Sequence, residues 1–297
     1  MAEFSHIPVL KDEAIEALAI REDGIYVDAT VGLGGYTATI ADQLSTGKVI
    51  GFDADSKALA IAEEKLADYG DKIILKHSNF RYIDRVLGEL NIAAVDGIVA
   101  DLGLSSMELD DGSRGFSFRE DAPLDMRFDI ESQEFTAWDI VNTYSQDELT
   151  QLFKTLGDEP FSGRIARVIV EARRIKKIET TQELADIIVS IVPKKFAKKS
   201  IHPATRVFQA LRMEVNDEIG ALKSLLSSSF SLLSSSGRLV IVSFHSGEDR
   251  IVKQMFRDWH QLGLGKILTK KPIVPTESEI HLNPRSRSAK LRTIQKS

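Results

Sequence analysis

The chain predicts an α/β fold, a parallel sheet interrupted by a mainly helical insertion. Three observations carry that expectation. Short apolar runs alternate with helical segments over the first hundred or so residues, and several of those runs end in an acidic residue (Asp28, Asp53, Asp101). A glycine-rich turn containing Gly32, Gly34 and Gly35 lies between the first such run and the helix after it. The alternation stops at Leu102 and resumes at Arg238.

Each element follows from its local pattern. His6 to Ala19 reads as a loop and a helix, with apolar residues at Val9, Leu10, Ala14, Ile15 and Leu18. Ile25 to Ala29 is the first strand, Lys48 to Phe52 the second, Ile73 to His77 the third and Val95 to Ala100 the fourth. A helix ending near Asp42-Gln43-Leu44 joins the first pair of strands. Ser56 to Tyr69, with Ser56 as N-cap, joins the second pair, and Tyr82 to Leu90 the third. Helical patterns occupy about 137–192, where Ser145-Gln-Asp-Glu148 has the form of a capping box. Another helix is expected over Pro203 to Leu233. Gly237 then acts as a stop before a strand at Arg238 to Phe244, and Ile267 to Lys271 with Lys290 to Ile294 form a terminal strand pair. The domain expectation is a cofactor-binding sheet domain over 1–105 and 216–297, split by a helical substrate-recognition domain over 106–215.

Composition narrows the function. At 297 residues and 43% hydrophobic content the chain can bury a full core. No run approaches the roughly 20 apolar residues of a membrane helix, and the acidic, interrupted N-terminus does not read as a secretory signal. The absence of cysteine excludes disulfides, thiolate metal sites and cysteine nucleophiles, and it fits a reducing cytoplasm. A net charge of −6 means that any nucleic-acid surface must be local.

The stretch from Tyr26 to Asp53 is a βαβ unit whose bare turn admits a ligand to the main chain, and Asp53 suits a ribose diol. A dinucleotide site wants G-x-G-x-x-G, and here the third glycine position is Thr37. Asp28 before the turn would repel a pyrophosphate and could hold an ammonium group. The pattern therefore favours S-adenosylmethionine over a nicotinamide dinucleotide. Asp101-Leu-Gly-Leu-Ser-Ser106 follows the fourth strand at the same sheet edge, as a functional carboxylate with paired hydroxyls or as a capped turn.

Within the insertion, Gly115-Phe-Ser-Phe-Arg119 and Pro123-Leu-Asp-Met-Arg-Phe-Asp129 mix aromatics with charge. Two readings stand side by side: a surface that stacks on an unpaired base, and a loop stapled by its own Asp125, Arg127 and Asp129. Arg164, Arg167, Arg173, Arg174, Lys176 and Lys177 precede Lys194, Lys195, Lys198, Lys199, Arg206 and Arg212. This basic concentration in an acidic chain is either a phosphate-backbone surface or a solvated helix face. His245 and Asp249 lack a third ligand at metal spacing, so no metal is expected, and His245 reads as a hydrogen-bonded residue at a strand end.

In combination, DATVGLGGYT, GFDAD, DLGLSS, RGFSFREDAPLDMRFD, HPATRVFQALRMEVN and SFHSGEDRIVK carry a resemblance. The sequence resembles the bacterial 16S ribosomal RNA cytosine-N4 methyltransferases, the small-subunit methyltransferase H family. The likeness runs from His6-Ile-Pro-Val-Leu to the Pro284–Ser288 tail. It implies a Rossmann-like S-adenosylmethionine-dependent methyltransferase acting on a decoding-centre cytidine in small-subunit ribosomal RNA, free or in the assembled subunit. It also implies that Gly34, Gly35, Tyr36, Asp53, Phe80 and Asp101 line the cofactor site. Tyr36 stands where the family often has histidine. Met107-Glu108 replaces the common Pro-Gln, which puts the cofactor contact expected of Glu108 in question. Asp101, Ser105 and Ser106, with Asp125 as an outside candidate, are the groups expected to orient the amine. The competing classes are a non-catalytic RNA-binding assembly factor that keeps the fold and a nicotinamide-dependent oxidoreductase. No membrane partner is expected, and a homodimer stays open.

Overall fold

The computed structural model describes residues 8–103, 111–191 and 202–297. The chain divides into two compact units, Met1–Gly103 with Ile219–Ser297, and Leu104–Glu218.

The first unit is built on a seven-stranded sheet. Its strands are β1 (Ile25–Asp28), β2 (Lys48–Asp53), β3 (Ile73–His77), β4 (Val95–Asp101), β5 (Leu233–Ser243), β6 (Gly265–Ile267) and β7 (Lys290–Lys296). The order across the sheet is β3-β2-β1-β4-β5-β7-β6. β1 to β5 pair in parallel, and β7 runs antiparallel to both β5 and β6. This is a Rossmann-like sheet whose order reverses between β1 and β4. Open α/β sheets bind ligands at such a reversal, outside the carboxyl ends of the strands.

Alternation along the strands feeds two separate cores. Val27, Ile50, Ile98, Leu239 and Ile241 face one side. They meet α4 (Ile83–Glu89), α10 (Glu218–Leu232) and α11 (Ser246–Gln261) through Leu87, Leu225, Leu226, Val252 and Phe256. Tyr26, Val49, Val99, Val240 and Val242 face the other side. There they meet α1 (Lys11–Leu18) and α2 (Gly35–Asp42) through Ala14, Leu18, Ile40 and Ala41. Because successive side chains point to opposite faces, both faces must be covered. The strands therefore read as unbroken apolar runs rather than polar alternation. α3 (Ser56–Leu66) adds a smaller cluster through Leu59, Ala62 and Leu66.

The second unit contains α5 (Ala137–Thr143), α6 (Gln146–Thr155), α7 (Ser162–Ile175), α8 (Thr181–Ile191) and α9 (Thr205–Val215) around one core. The Ser145–Glu148 capping box forms, as its spacing predicts, and Thr136 with Asp139 forms another. The long segment before α5 is packed, not loose. Phe116, Leu124 and Met126 are buried in the helical core. Arg114 ties the segment from inside by donating to the carbonyls of Arg127 (2.6 Å) and Phe128 (2.7 Å).

Three features depart from the sequence expectation. The single helix expected over Pro203 to Leu233 is two helices, broken at Asn216-Asp217, where Asp217 has φ 44°. The break is enforced from outside the helix. Asn216 Nδ2 donates to the Met126 carbonyl (2.8 Å), and its Oδ1 accepts the Phe128 amide (2.8 Å). A nonlocal partner of this kind has no signature in helix periodicity. Gly237 does not stop a helix before a strand. It lies within β5, near the pairing irregularity between Val95 and Gly97 of β4. The terminal strand pair is also shifted, since β6 ends at Ile267 where the sequence suggested it would begin. Among the described residues no helix is long and apolar enough to cross a membrane.

Asn216→Ala should strip two buried main-chain groups of their partners. An unsatisfied buried group costs about 1–3 kcal/mol. Urea unfolding followed by circular dichroism should show a loss on the order of 2–3 kcal/mol, and an unchanged midpoint would mean that the helix break is set by Asp217 alone.

Candidate active site at the carboxyl edge of the sheet

Asp28, Asp53 and Asp101 are the last residues of β1, β2 and β4, which are neighbours in the sheet. Their roles differ. Asp28 is wholly buried. Its Oδ1 accepts the Thr30 amide (3.1 Å), and its Oδ2 accepts the Thr37 hydroxyl (2.6 Å). Thr30 in turn accepts the Asp101 amide at its Oγ1 (2.7 Å). Asp28 thus fastens the glycine turn to α2 and, through Thr30, to the end of β4. This corrects the expectation that Asp28 holds a ligand's ammonium group. Its side chain is wholly buried and closed to solvent.

Asp53 accepts the Gly32 amide at Oδ2 (2.7 Å) and the Asp55 amide at Oδ1 (2.8 Å). Each carboxylate oxygen has two lone pairs, so Asp53 keeps acceptor capacity for a vicinal diol. Burial pushes Asp53 up to about 6, and the two amides only partly oppose it. Asp28 is likewise pushed up to about 6 by burial. Asp101 is pushed well above the ordinary carboxylate range, first by burial and then by the negative charges of Asp28, Glu248 and Glu279. Its Oδ1 is buried without a hydrogen-bond partner. An edge with this much uncompensated acidity disfavours a pyrophosphate and favours a cation, which would return the raised carboxyls to their charged forms.

The glycines of the turn serve different ends. At Gly34 (φ 87°) a Cβ would meet Leu66 at 2.9 Å, and at Gly35 it would meet Pro8 at 2.3 Å. Both are bare because the protein packs against them, so a ligand could reach them only through main-chain atoms. Gly32 (φ 53°) has open space where a Cβ would stand, and its amide is the one that meets Asp53. The Tyr36 ring is buried with Leu10, Ala14 and Ile40, and its hydroxyl donates to the Val9 carbonyl. Any contact from Tyr36 to a ligand is therefore a backbone contact. Phe80 is half-buried in a single 3₁₀ turn after β3 and packs on the core beside α4. Ser105, Ser106 and Glu108 lie outside the described residues.

The remaining candidates are committed elsewhere. Asp125 makes a two-pronged ion pair with Arg127 (2.8 and 2.6 Å). Those bonds hold its carboxyl below the ordinary range against the opposing effect of burial. Such a group is a weak proton acceptor. Of the aromatics offered for base stacking, Phe116 is in the helical core, and Phe118 is stacked on His202 (4.5 Å between ring centres). Trp138 is half-buried and donates its indole N–H to Glu179 (2.9 Å). The stapled-loop reading therefore describes Asp125 and Arg127, while Asp129 instead closes a turn by accepting the Glu131 and Ser132 amides.

Sequence reasoning passed over Thr30, Thr37 and Glu248. A threonine two residues after a strand-end aspartate is a recognisable turn signal. Glu248, three residues after His245, completes a capping box in which histidine takes the place of serine.

The whole chain from residue 3 to 297 matches the model of the MraW methylase family. The chain belongs to that family. It is 46% identical over 310 residues to the ribosomal RNA small subunit methyltransferase H of Clostridioides difficile (strain 630), covering 99% of each chain. It is 45% identical over 312 residues to the enzyme of the same name from Geotalea uraniireducens (strain Rf4), covering 100% of each. An rRNA methylase structure from Streptococcus thermophilus aligns at 15% identity and a TM-score of 0.41, over 96% of this chain and 93% of that one, and adds nothing to the assignment. As a member of the family this methylase draws its methyl group from S-adenosylmethionine. That cofactor carries a sulfonium and an ammonium group and has a ribose, which fits an acidic edge with spare carboxylate acceptors.

The acidic edge has a pH signature. Asp28 is raised from 3.8 to about 6, so between those values the folded methylase holds a proton that the unfolded chain has released. Raising the pH through that window lowers stability, by roughly 2–3 kcal/mol for this one group. Asp28→Asn should abolish that share. Urea titrations of cofactor-free protein at pH 4.5 and 7.5 should show the variant gaining on the wild type at the higher pH, whereas a constant difference between them would remove Asp28 as the source.

Proposed function

We propose that this methylase transfers a methyl group from S-adenosylmethionine to the exocyclic N4 amine of a decoding-centre cytidine in small-subunit ribosomal RNA. The observation that carries the reading is Asp101, a strand-end carboxylate with an unpartnered oxygen beside the glycine turn. The names of the relatives support the RNA substrate, and the resemblance in six motifs supports the base and the atom.

When bound, S-adenosylmethionine supplies an electrophilic methyl group on a sulfonium. Asp53 and the open face at Gly32 are assigned to its ribose. The cytosine amine is a poor nucleophile because its lone pair is delocalised into the ring, so orientation supplies much of the acceleration. Asp101 accepts a hydrogen bond from the amine and turns its lone pair towards the methyl group. As the nitrogen gains the methyl and becomes positive, the same carboxylate stabilises the charge and receives the proton that leaves. The network of Asp28, Thr30 and Thr37 holds Asp101 in place through its own main chain.

The helical unit is assigned to RNA recognition. Arg164, Arg167 and Arg174 lie at helical spacing along α7 and are exposed. Arg173 is different. Its guanidinium is spent on the carbonyls of Val141 and Tyr144 at the end of α5. Arg212 is likewise held by Glu218 at 2.6 and 2.8 Å. Lys194, Lys195, Lys198 and Lys199 lie outside the described residues.

Labelled S-adenosylmethionine with undermethylated small subunits, followed by nuclease digestion and mass spectrometry, tests the reaction. Label on one cytidine amine is expected, and binding without transfer would favour a non-catalytic assembly role. In the same assay Asp53→Ala should weaken cofactor binding by about a hundredfold, as expected for two lost charge-assisted bonds. Asp101→Asn should keep much of that binding and lose most turnover, and near-normal turnover would remove Asp101 from the chemistry. Replacing Arg164, Arg167 and Arg174 together by alanine should reduce the salt dependence of RNA binding by about two to three in log–log slope. An unchanged slope would leave them as solvated side chains.

A further inference from the structure

Asp101 Oδ1 is an acceptor without a donor, and the neighbouring strand end carries a donor without an acceptor. β5 runs parallel to β4 with Val242 opposite Asp101, and His245 follows as the N-cap of α11. His245 Nδ1 accepts the amides of Gly247 (3.2 Å) and Glu248 (3.3 Å). A ring nitrogen that accepts carries no proton, so these partners assign the proton of the neutral ring to Nε2. That Nε2 is buried and makes no hydrogen bond. Glu248 Oε1 is 3.1 Å away but off the N–H direction, and Glu248 Oε2 accepts the amides of Phe244 (2.9 Å) and His245 (3.3 Å).

The ring is held rigidly in this posture. Asp249, one residue on, is gripped by Arg292 (2.6 Å) and Lys290 (3.3 Å), which pins the first turn of α11 to β7. A buried N–H held in place with no acceptor is a standing cost. Such groups persist where a ligand supplies the missing partner.

We propose that Asp101 and His245 form a complementary pair that reads the edge of the target base, Asp101 accepting from the exocyclic amine and His245 Nε2–H donating to the adjoining ring nitrogen. The proposal rests on the methyl-transfer reading above. An amine beside an unprotonated ring nitrogen is what the Watson–Crick edge of cytosine presents, a pattern shared with adenine but not with uracil. Uracil presents a carbonyl and an N–H in those places, so both contacts would fail, acceptor against acceptor and donor against donor. The same pair that excludes uracil also sets the amine against the carboxylate that receives its proton. His245 is thus a specificity residue for the reaction.

His245→Asn separates the two duties of the ring. Asparagine is a strong N-cap and keeps an acceptor for the Gly247 and Glu248 amides, but it has no counterpart of the Nε2–H. The substrates are undermethylated small subunits carrying either cytidine or 3-deazacytidine at the target, the latter with C–H in place of the ring nitrogen. For His245→Asn, cofactor affinity should stay within about twofold, with kcat/KM on cytidine reduced about ten- to hundredfold. The wild type should lose a similar factor on 3-deazacytidine. His245→Asn should lose nothing further on that substrate, because the contact is already gone. Equal rates for wild type and variant on cytidine, or losses that multiply independently, would overturn the pairing while leaving methyl transfer intact. A wild type that labels no cytidine amine would overturn both readings together.

Discussion

Asp28 is a carboxylate with no access to water at the end of the first strand, and the geometry of the candidate site hangs from it. It takes one hydrogen bond from the turn at Thr30 and one from the second helix at Thr37. Thr30 then receives the amide of Asp101, so a strand, a turn, a helix and the end of the neighbouring strand share one polar node. A buried carboxylate is tolerable only if its oxygens are satisfied. That requirement fixes where the turn runs, and with it the positions of Gly32 and Asp101.

The node has an electrostatic consequence. Three carboxyls close adjacent strands, each raised by burial, and none of their hydrogen-bond partners among the described residues is a cation. Asp249 and Asp125, by contrast, each meet an arginine, Arg292 and Arg127. In the proposed assignment, a cationic cofactor bound at this edge would return those carboxyls to their charged forms.

In the helical unit the division of labour is reversed. Its aromatics and several of its arginines are drawn inward. Phe116 and Met126 fill the core, Arg114 and Arg173 satisfy main-chain carbonyls, and Arg212 pairs with Glu218. Arg164, Arg167 and Arg174 stay exposed on α7, with Glu171 beside Arg167 at 3.7 Å. In the proposed reading such a surface would grip a phosphate backbone without reading bases, which leaves base recognition to the strand ends of the sheet unit.

The sequence by itself determined the sheet, the strand-end acids, the glycine turn and the Ser145–Glu148 capping box, because each rests on neighbours within a few residues. Asp53 and Asp101 were legible as site candidates for that reason, and the family was legible because its motifs are contiguous strings. Local pattern could not say which acid is spent on the fold. Asp28 and Asp53 look alike as strand-end aspartates, and each oxygen of either accepts one hydrogen bond; burial separates them, since Asp28 is closed to solvent and Asp53 is partly exposed. The break at Asn216, the inward turn of Phe116 and the unpartnered Nε2 of His245 were hidden in the same way. Tertiary structure decided these because a polar atom's role depends on which groups are left to satisfy it once the chain has closed around it.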